Sequence, residues 1–505
     1  MSAPIGKVYL VGAGPGDPGL LTLRGAECLA EADLVLYDYL AAPELLGHTR
    51  PGTELVCLGR HGHGRLMTQA EINERMTAAA RTGQTVVRLK GGDPSLFARL
   101  TEELTALEAA GVPYEIVPGI TAAQAASSHA GIPLTSRDEA SCVALVTGRE
   151  CPDKQPGDEL DYAALAQFPG TLVFYMGLTT APQWSQALIA HSKSPETPVA
   201  IVRRASFHDQ QTIHTTLGRV GKHLGPGKLR PPGVVIVGDV ARAREAANWF
   251  TTRPLFGRTV LLTRPERQVD AMAQRLRTLG AGVLYQPAIE ISEPADWAPV
   301  DAAVARLAEF DWLVFSSSNG VEYLVGRLLQ LGHDLRALGG RRLAAIGPAT
   351  VEALDKYHLR ADVCPSEYRA EALAAALAPG ASGQRYFLAR ASRGRDTLAE
   401  MLTAAGARVT QAVVYQSRDV TAPNADVLEA LAAGRIDWTT VTSSAIARSL
   451  VRLFGETLRQ TKLAAISPLT AEVLTDLDHP PTVVAAEYTG EGILAAILAA
   501  ESGKL

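Results

Sequence analysis

The stretch VYLVGAGPGDPGLLTLRGAECLAEADLVLYDYL, Val8 to Leu40, decides the fold. VYLV reads as a buried strand ending in a glycine-rich turn, LLTLRGAECLAEA carries a helical period, and LVLYDYL returns to strand. Strand, helix and strand in that order form the unit of a largely parallel sheet. The alternation continues until VVIVGDV, Val234 to Val240, closes one series and TVLLTR, Thr259 to Arg264, opens another. An α/β protein of two fused halves is therefore expected, with the joint between Ala243 and Gly257. This gives a first domain over 1–245, a linker over 246–256 and a second domain over 257–505. A chain of 505 residues exceeds what one hydrophobic core usually serves, which agrees with this division.

Composition narrows the class. Apolar runs are broken by Gly, Pro or charge well short of a membrane span, and the opening residues lack a secretory pattern. A cytoplasmic protein without a membrane partner is expected. The net charge of −5 argues against a whole-surface affinity for nucleic acid and leaves anion binding to local basic pockets. Cys28, Cys57, Cys142, Cys151 and Cys364 form no CxxC pair and have no histidine at ligand spacing, so reduced thiols and no metal are expected.

The second half repeats itself. DWLVFSSSNGVEYL from Asp311 returns as DWTTVTSSAIARSL from Asp437, and RRLAAIGPATVEAL from Arg341 returns as TKLAAISPLTAEVL from Thr461. SEYRAEAL from Ser366 matches AEYTGEGI from Ala486, and GRTVLLTRPERQVDAMAQRL from Gly257 matches GQRYFLARASRGRDTLAEML from Gly383. Two similar lobes with a cleft between them follow. The repeat puts Ser316 to Asn319 and Thr442 to Ser444 where helices begin. Hydroxyls there either cap the helices or bind carboxylates together with the free N–H groups, and both readings stand. GPAT, Gly347 to Thr350, and SPLT, Ser467 to Thr470, repeat the design.

The first turn, GAGPGDPG from Gly12, superficially suits a dinucleotide. That fingerprint needs a third small residue where Asp17 stands, and Pro15 removes an amide wanted for pyrophosphate, although Asp38 imitates a ribose-binding acid. RLKGGDPSLFARLTEE, YEIVPGITAAQAASSHAGIPLT and LVFYMGL follow in order. With the opening stretch, they make residues 5 to 245 resemble the S-adenosylmethionine-dependent uroporphyrinogen-III C-methyltransferases. The resemblance implies a two-lobed tetrapyrrole-methylase fold, a homodimer through this half, and two methyl transfers that give precorrin-2 and S-adenosylhomocysteine. It places the cofactor against Pro15, Gly91, Gly92, Asp93, Leu96, Thr121, Ala122, Met176, Ala205 and Gly233. Asp93 also reads as a helix N-cap with Pro94 at the first helical position. Asp38 matches the family's proton acceptor. Arg60 stands where the family has a proton-donating lysine, and an arginine is a poor proton donor. Arg60, His61, His63 and Arg65 are either a solvated loop or a grip on the substrate's carboxylates, with Arg137, Arg149, Arg203 and Arg204 as further candidates. A different precorrin methylase or a diphthine synthase is the alternative for this half.

TVLLTRPERQ, WLVFSSSNGV, LAAIGPATVEAL, PSEYRAEAL, VVYQS and TVTSSAIARSL make residues 257 to 500 resemble uroporphyrinogen-III synthase. The resemblance implies two flavodoxin-like lobes, 257–292 with 420–505 and 293–419, and cyclisation of hydroxymethylbilane to uroporphyrinogen III. Tyr415 matches the family's tyrosine near the leaving group and reads equally as a tyrosine packed at the hinge. Arg264, Arg390, Ser317, Thr442 and Ser443 are candidates for binding the substrate's carboxylates. A half that binds tetrapyrrole without catalysis is the alternative.

Overall fold

A computed structural model describes residues 4–59, 66–152, 154–155, 157–243, 249–264, 270–394 and 396–503. Two compact units divide the chain: 1–259 with 276–282, and 260–275 with 283–505. Among the described residues, four five-stranded sheets carry the α/β architecture.

The first sheet is wholly parallel, in the order Glu54–Cys57, Leu34–Tyr37, Val86–Lys90, Val8–Gly12, Tyr114–Val117. Its inner strands are buried on both faces, as helix-covered parallel strands must be. Helix starts are set locally. Thr22 accepts the Gly25 N–H, and Thr68 forms a reciprocal capping box with Glu71. The second sheet runs Val143–Thr147, Thr171–Tyr175, Gly233–Val237, Pro198–Arg203, Gln211–Thr216. Only its first pair is parallel.

The third sheet has the order Gly282–Tyr285, Thr259–Leu262, Trp438–Val441, Lys462–Ala465, Val483–Val484. Numbered along the chain this is 2-1-3-4-5, the flavodoxin-like arrangement. The fourth runs Ile289–Ser292, Arg408–Asp419, Arg385–Ala391, Trp312–Phe315, Arg342–Ala345. It repeats 2-1-3-4 in parallel, with the antiparallel Ile289–Ser292 strand at its edge. Ile289 to Ser292 therefore pair with residues 416–419 of the other sheet, where the sequence groups them with 257–288. A four-residue edge strand carries no signal for which sheet it joins, and the twelve-residue Arg408–Asp419 strand is long enough to extend past its own sheet and recruit it.

The expected linker is partly built into the first unit. Leu255 N–H donates to Leu279 O at 2.9 Å, Arg253 Nη1 to Arg277 O at 3.1 Å, and the Phe250 ring meets His129 edge-on at 4.6 Å. His129 is buried and its Nδ1 lies 2.9 Å from Ala125 O. Burial holds its pKa below the ordinary histidine value. Protonation therefore favours the unfolded chain. The stabilisation is present above about pH 6.5 and lost as pH falls through the folded-state value. The melting temperature of the wild-type chain should drop more steeply below that pH than that of His129→Gln. Parallel curves would remove His129 from the account.

Candidate active sites

At the carboxyl ends of the first sheet, glycine turns cross at backbone contact. Gly92 N–H donates to Gly14 O at 2.8 Å and Gly14 N–H to Gly92 O at 3.2 Å. A methyl on Gly12 would lie 2.6 Å from Gly119 Cα and 2.7 Å from Gly92 O, and one on Gly91 would lie 2.6 Å from Leu40 Cβ. Only hydrogen fits there. Asp93 accepts the Ser95 N–H at 2.8 Å and the Gly119 N–H at 2.9 Å, so it ties the second glycine turn to the third. It does not cap the following helix, which starts at Leu100. Phe97 and Arg99 have φ of 53° and 57°, and this left-handed backbone breaks the helical path that Pro94 would otherwise begin.

Asp93, Leu96 and Thr121 line a cavity of about 490 Å³ with Leu134, Val143 and Leu145. Thr121 Oγ1 is 2.6 Å from Tyr175 Oη, which also accepts the Ala123 N–H at 2.9 Å. Burial raises the Tyr175 hydroxyl's pKa, so it stays a neutral phenol. The next residue, Met176, is 49% exposed with a φ of 53°. Arg204 and Ser206 also have positive φ, and Ser206 Oγ accepts the Asp17 N–H at 3.2 Å beside the Pro15 turn. Strained non-glycine backbone costs about 1–3 kcal/mol per residue and collects where function over-determines geometry. Ala122 and Ala205 pack on the core that contains Tyr175, and Gly233 pairs with Arg203. The cavity itself gathers Asp93, Leu96 and Thr121, while Pro15, Gly91, Gly92, Ala122, Met176, Ala205 and Gly233 do not line it.

Asp38 follows the Leu34–Tyr37 strand and accepts Arg88 Nη2 at 2.8 Å. Arg88 and Lys90 project from one face of the central strand onto the buried Glu103. The sequence reading passes over all three, although two cations at alternate positions of the buried VVRLK strand were the available signal. Arg60, His61 and Arg65 lie outside the described residues. Arg203 and Arg204 both face Asp209, at 3.7 Å and 2.7 Å.

In the second unit Tyr415 Oη is 2.9 Å from Ser317 Oγ, and its ring stacks on Tyr323. Ser317 also accepts the Gly320 N–H and thus caps its helix. Burial raises the Tyr415 pKa, which the bonds to Ser317 and Asn319 oppose. The phenol is neutral and able to donate. A cavity of about 830 Å³ opens beside Asn319 and Tyr323, but none of Arg264, Ser317, Arg390, Thr442 and Ser443 lines it. In the other lobe Arg264 Nε donates to Thr442 Oγ1 at 3.0 Å, and Ser443 accepts the Ile446 N–H at 3.2 Å. Burial holds the Arg264 pKa below the ordinary arginine value without removing its charge. Arg390 contacts Asp396, Gln411 Oε1 and Gly394 O, so in this structure it braces its own loop. Ser317 and Ser443 have matching extended backbones, with φ/ψ of −168°/159° and −169°/161°. The sequence duplication is therefore a duplication of backbone geometry at the two helix starts.

A parallel sheet crossed by glycine turns, followed by paired flavodoxin-like lobes with hydroxyl-headed helices, defines two α/β enzymes in one chain. Residues 7–221 match the Tetrapyrrole (Corrin/Porphyrin) Methylases, and residues 270–495 match Uroporphyrinogen-III synthase HemD. The porphyrin biosynthesis protein HemD of Ruminiclostridium josui is 30% identical over 449 residues, 88% of each chain. The uroporphyrinogen-III C-methyltransferase of Bacillus subtilis is 37% identical over 69% of this chain and 71% of its own. Siroheme synthase 1 of Yersinia pseudotuberculosis is 44% identical over 50% of this chain and 52% of its own. The uroporphyrin-III C-methyltransferase of Thermus thermophilus, solved with S-adenyl homocysteine, is 40% identical over 47% of this chain and 99% of its own, with a TM-score of 0.40. The chain belongs to the tetrapyrrole methylase and uroporphyrinogen-III synthase families, fused in that order. Both resemblances read from the sequence are borne out.

Proposed function

We propose that the second half cyclises hydroxymethylbilane to uroporphyrinogen III and that the first half methylates this product twice to precorrin-2. The observation that carries the reading is the presence of both family matches on one chain, aligned with a relative across 88% of its length. A cytoplasmic homodimer joined through the methyltransferase half belongs to the same reading.

The residues of the first half fit S-adenosylmethionine. Leu134, Val143 and Leu145 give the cavity an apolar wall, Asp93 and Thr121 give it a polar edge, and the glycine turns expose backbone at close range. When bound, the cofactor supplies an electrophilic methyl group to an electron-rich pyrrole carbon. The chain aligns the two reactants and takes the proton that leaves the methylated tetrapyrrole. Asp38 suits the second task, because Arg88 fixes one carboxylate oxygen while the side chain remains 29% exposed.

In the second half, ring closure breaks the C–O bond of the hydroxymethyl group and releases water. Tyr415 stands ready to hydrogen-bond the departing oxygen. Arg264, Thr442 and Ser443 in one lobe and Ser317 in the other would hold the substrate's carboxylates. Tyr415→Phe should slow cyclisation on the order of 10- to 100-fold and leave methylation of supplied uroporphyrinogen III unchanged. Wild-type cyclisation rates in both Tyr415→Phe and a Thr442→Ala/Ser443→Ala double variant would remove the assigned synthase site.

A further inference from the structure

Arg88 and Lys90 of the Val86–Lys90 strand meet Glu103 of the Leu100–Ala110 helix, and the chemistry above uses neither Lys90 nor Glu103. Glu103 is wholly buried. Its Oε1 accepts Arg88 Nε at 3.1 Å and the Gln69 amide at 3.3 Å, and its Oε2 faces Lys90 Nζ. Arg88 and Lys90 are 4% and 2% exposed. Arg88 in turn donates Nη2 to Asp38 Oδ1 at 2.8 Å, and Nη1 to the carbonyls of Leu89 at 3.1 Å and Leu36 at 3.4 Å. Its guanidinium is thus held on three sides.

Apolar side chains of similar volume often stabilise a core as well as a buried ion pair does. What the ionic arrangement adds is direction. One plane of donors, clamped by Glu103, presents a fixed edge to Asp38. Lys90 is not a substitute for the lysine that Arg60 replaces, because its ammonium is enclosed and bound to Glu103. It balances charge instead, giving two carboxylates against two cations.

We infer that Glu103 is a positioning residue for methyl transfer: it fixes Arg88, Arg88 fixes the proton acceptor Asp38, and Lys90 neutralises the remaining charge. This rests on the proposed role of Asp38 in the first half. Besides Arg88, Asp38 faces Tyr39 of its own turn, and Lys90 acts on it from the central strand.

The test compares the full-length wild-type chain with Glu103→Gln, using S-adenosylmethionine and uroporphyrinogen III and taking cyclisation by the same preparation as the control for folding. The kcat for methylation should fall on the order of 10- to 100-fold with the KM for S-adenosylmethionine unchanged. Without the Glu103 charge, Arg88, which stays charged, acts on Asp38 uncompensated, so the acid limb of the kcat–pH profile should move to lower pH. A Glu103→Gln chain with wild-type kcat and acid limb overturns the inference. Should the exposed imbalance on Lys90 prevent folding, a Glu103→Gln/Lys90→Met chain restores neutrality. It should melt like the wild type and still methylate slowly, and a wild-type kcat there overturns the inference equally. A wild-type chain that makes no methylated product defeats the assignment of the first half, which is a separate result.

Discussion

Asp38→Asn should lower the rate of methyl transfer by about 10²- to 10⁴-fold, the usual contribution of a positioned proton acceptor, while the same molecules cyclise hydroxymethylbilane at the wild-type rate. The change is nearly isosteric. Arg88 Nη2 can still donate to the side-chain oxygen that replaces Oδ1, and the backbone bond from Asp38 N–H to Leu89 O at 3.2 Å is untouched. What is lost is the carboxylate's charge and with it the ability to take a proton, so the effect should fall on kcat and not on the KM for S-adenosylmethionine. Steady-state kinetics with supplied uroporphyrinogen III checks this. A variant within a few-fold of wild type would show that the proton leaves by another route and that Arg88 holds Asp38 only for structure.

Gly12→Ala should be nearly as damaging through sterics alone. The added methyl would stand 2.6 Å from Gly119 Cα and N and 2.7 Å from Gly92 O, and none of these belongs to a side chain that can rotate away. The Gly92 and Gly119 turns would have to separate. That would strain the bond from Gly119 N–H to Asp93 Oδ2 and spoil the cavity edge formed by Asp93 and Thr121. Forcing a methyl into such a contact costs about 1–3 kcal/mol, and a misplacement near the reacting atoms costs about 10²-fold in rate. Calorimetry should show the loss in the transition of the first unit, with cyclisation retained. Unaltered melting and methylation would mean that the three turns are less tightly crossed than described.

The alternation of strand and helix was legible because parallel strands need apolar runs and their crossovers need a helical period. The duplication of the second half was legible because Ser317 and Ser443 do the same local job. Pairings over long separations were not. Ser317 and Tyr415 are 98 residues apart, and the sequence names each without joining them. The sequence groups Ile289 to Ser292 with 257–288, yet they pair with residues 416–419, since pairing partners leave no trace in a four-residue strand. Glu103 draws no attention in the sequence, and only the fold sets Arg88 and Lys90 against it. Asp93 followed by proline has the pattern of a helix cap, and the pattern fails because Phe97 and Arg99 turn left-handed before the helix starts. Arg390 matches Arg264 across the repeat, yet Asp396 gives it a partner of its own.

One incubation tests the central claim that a single chain closes the macrocycle and then methylates it. Purified wild-type protein is given hydroxymethylbilane, first alone and then with S-adenosylmethionine, and the products are separated by isomer and mass. The predicted result is the type III isomer in the first case and its dimethylated derivative in the second. Type I isomer alone, or type III isomer that stays unmethylated with the cofactor present, would contradict it.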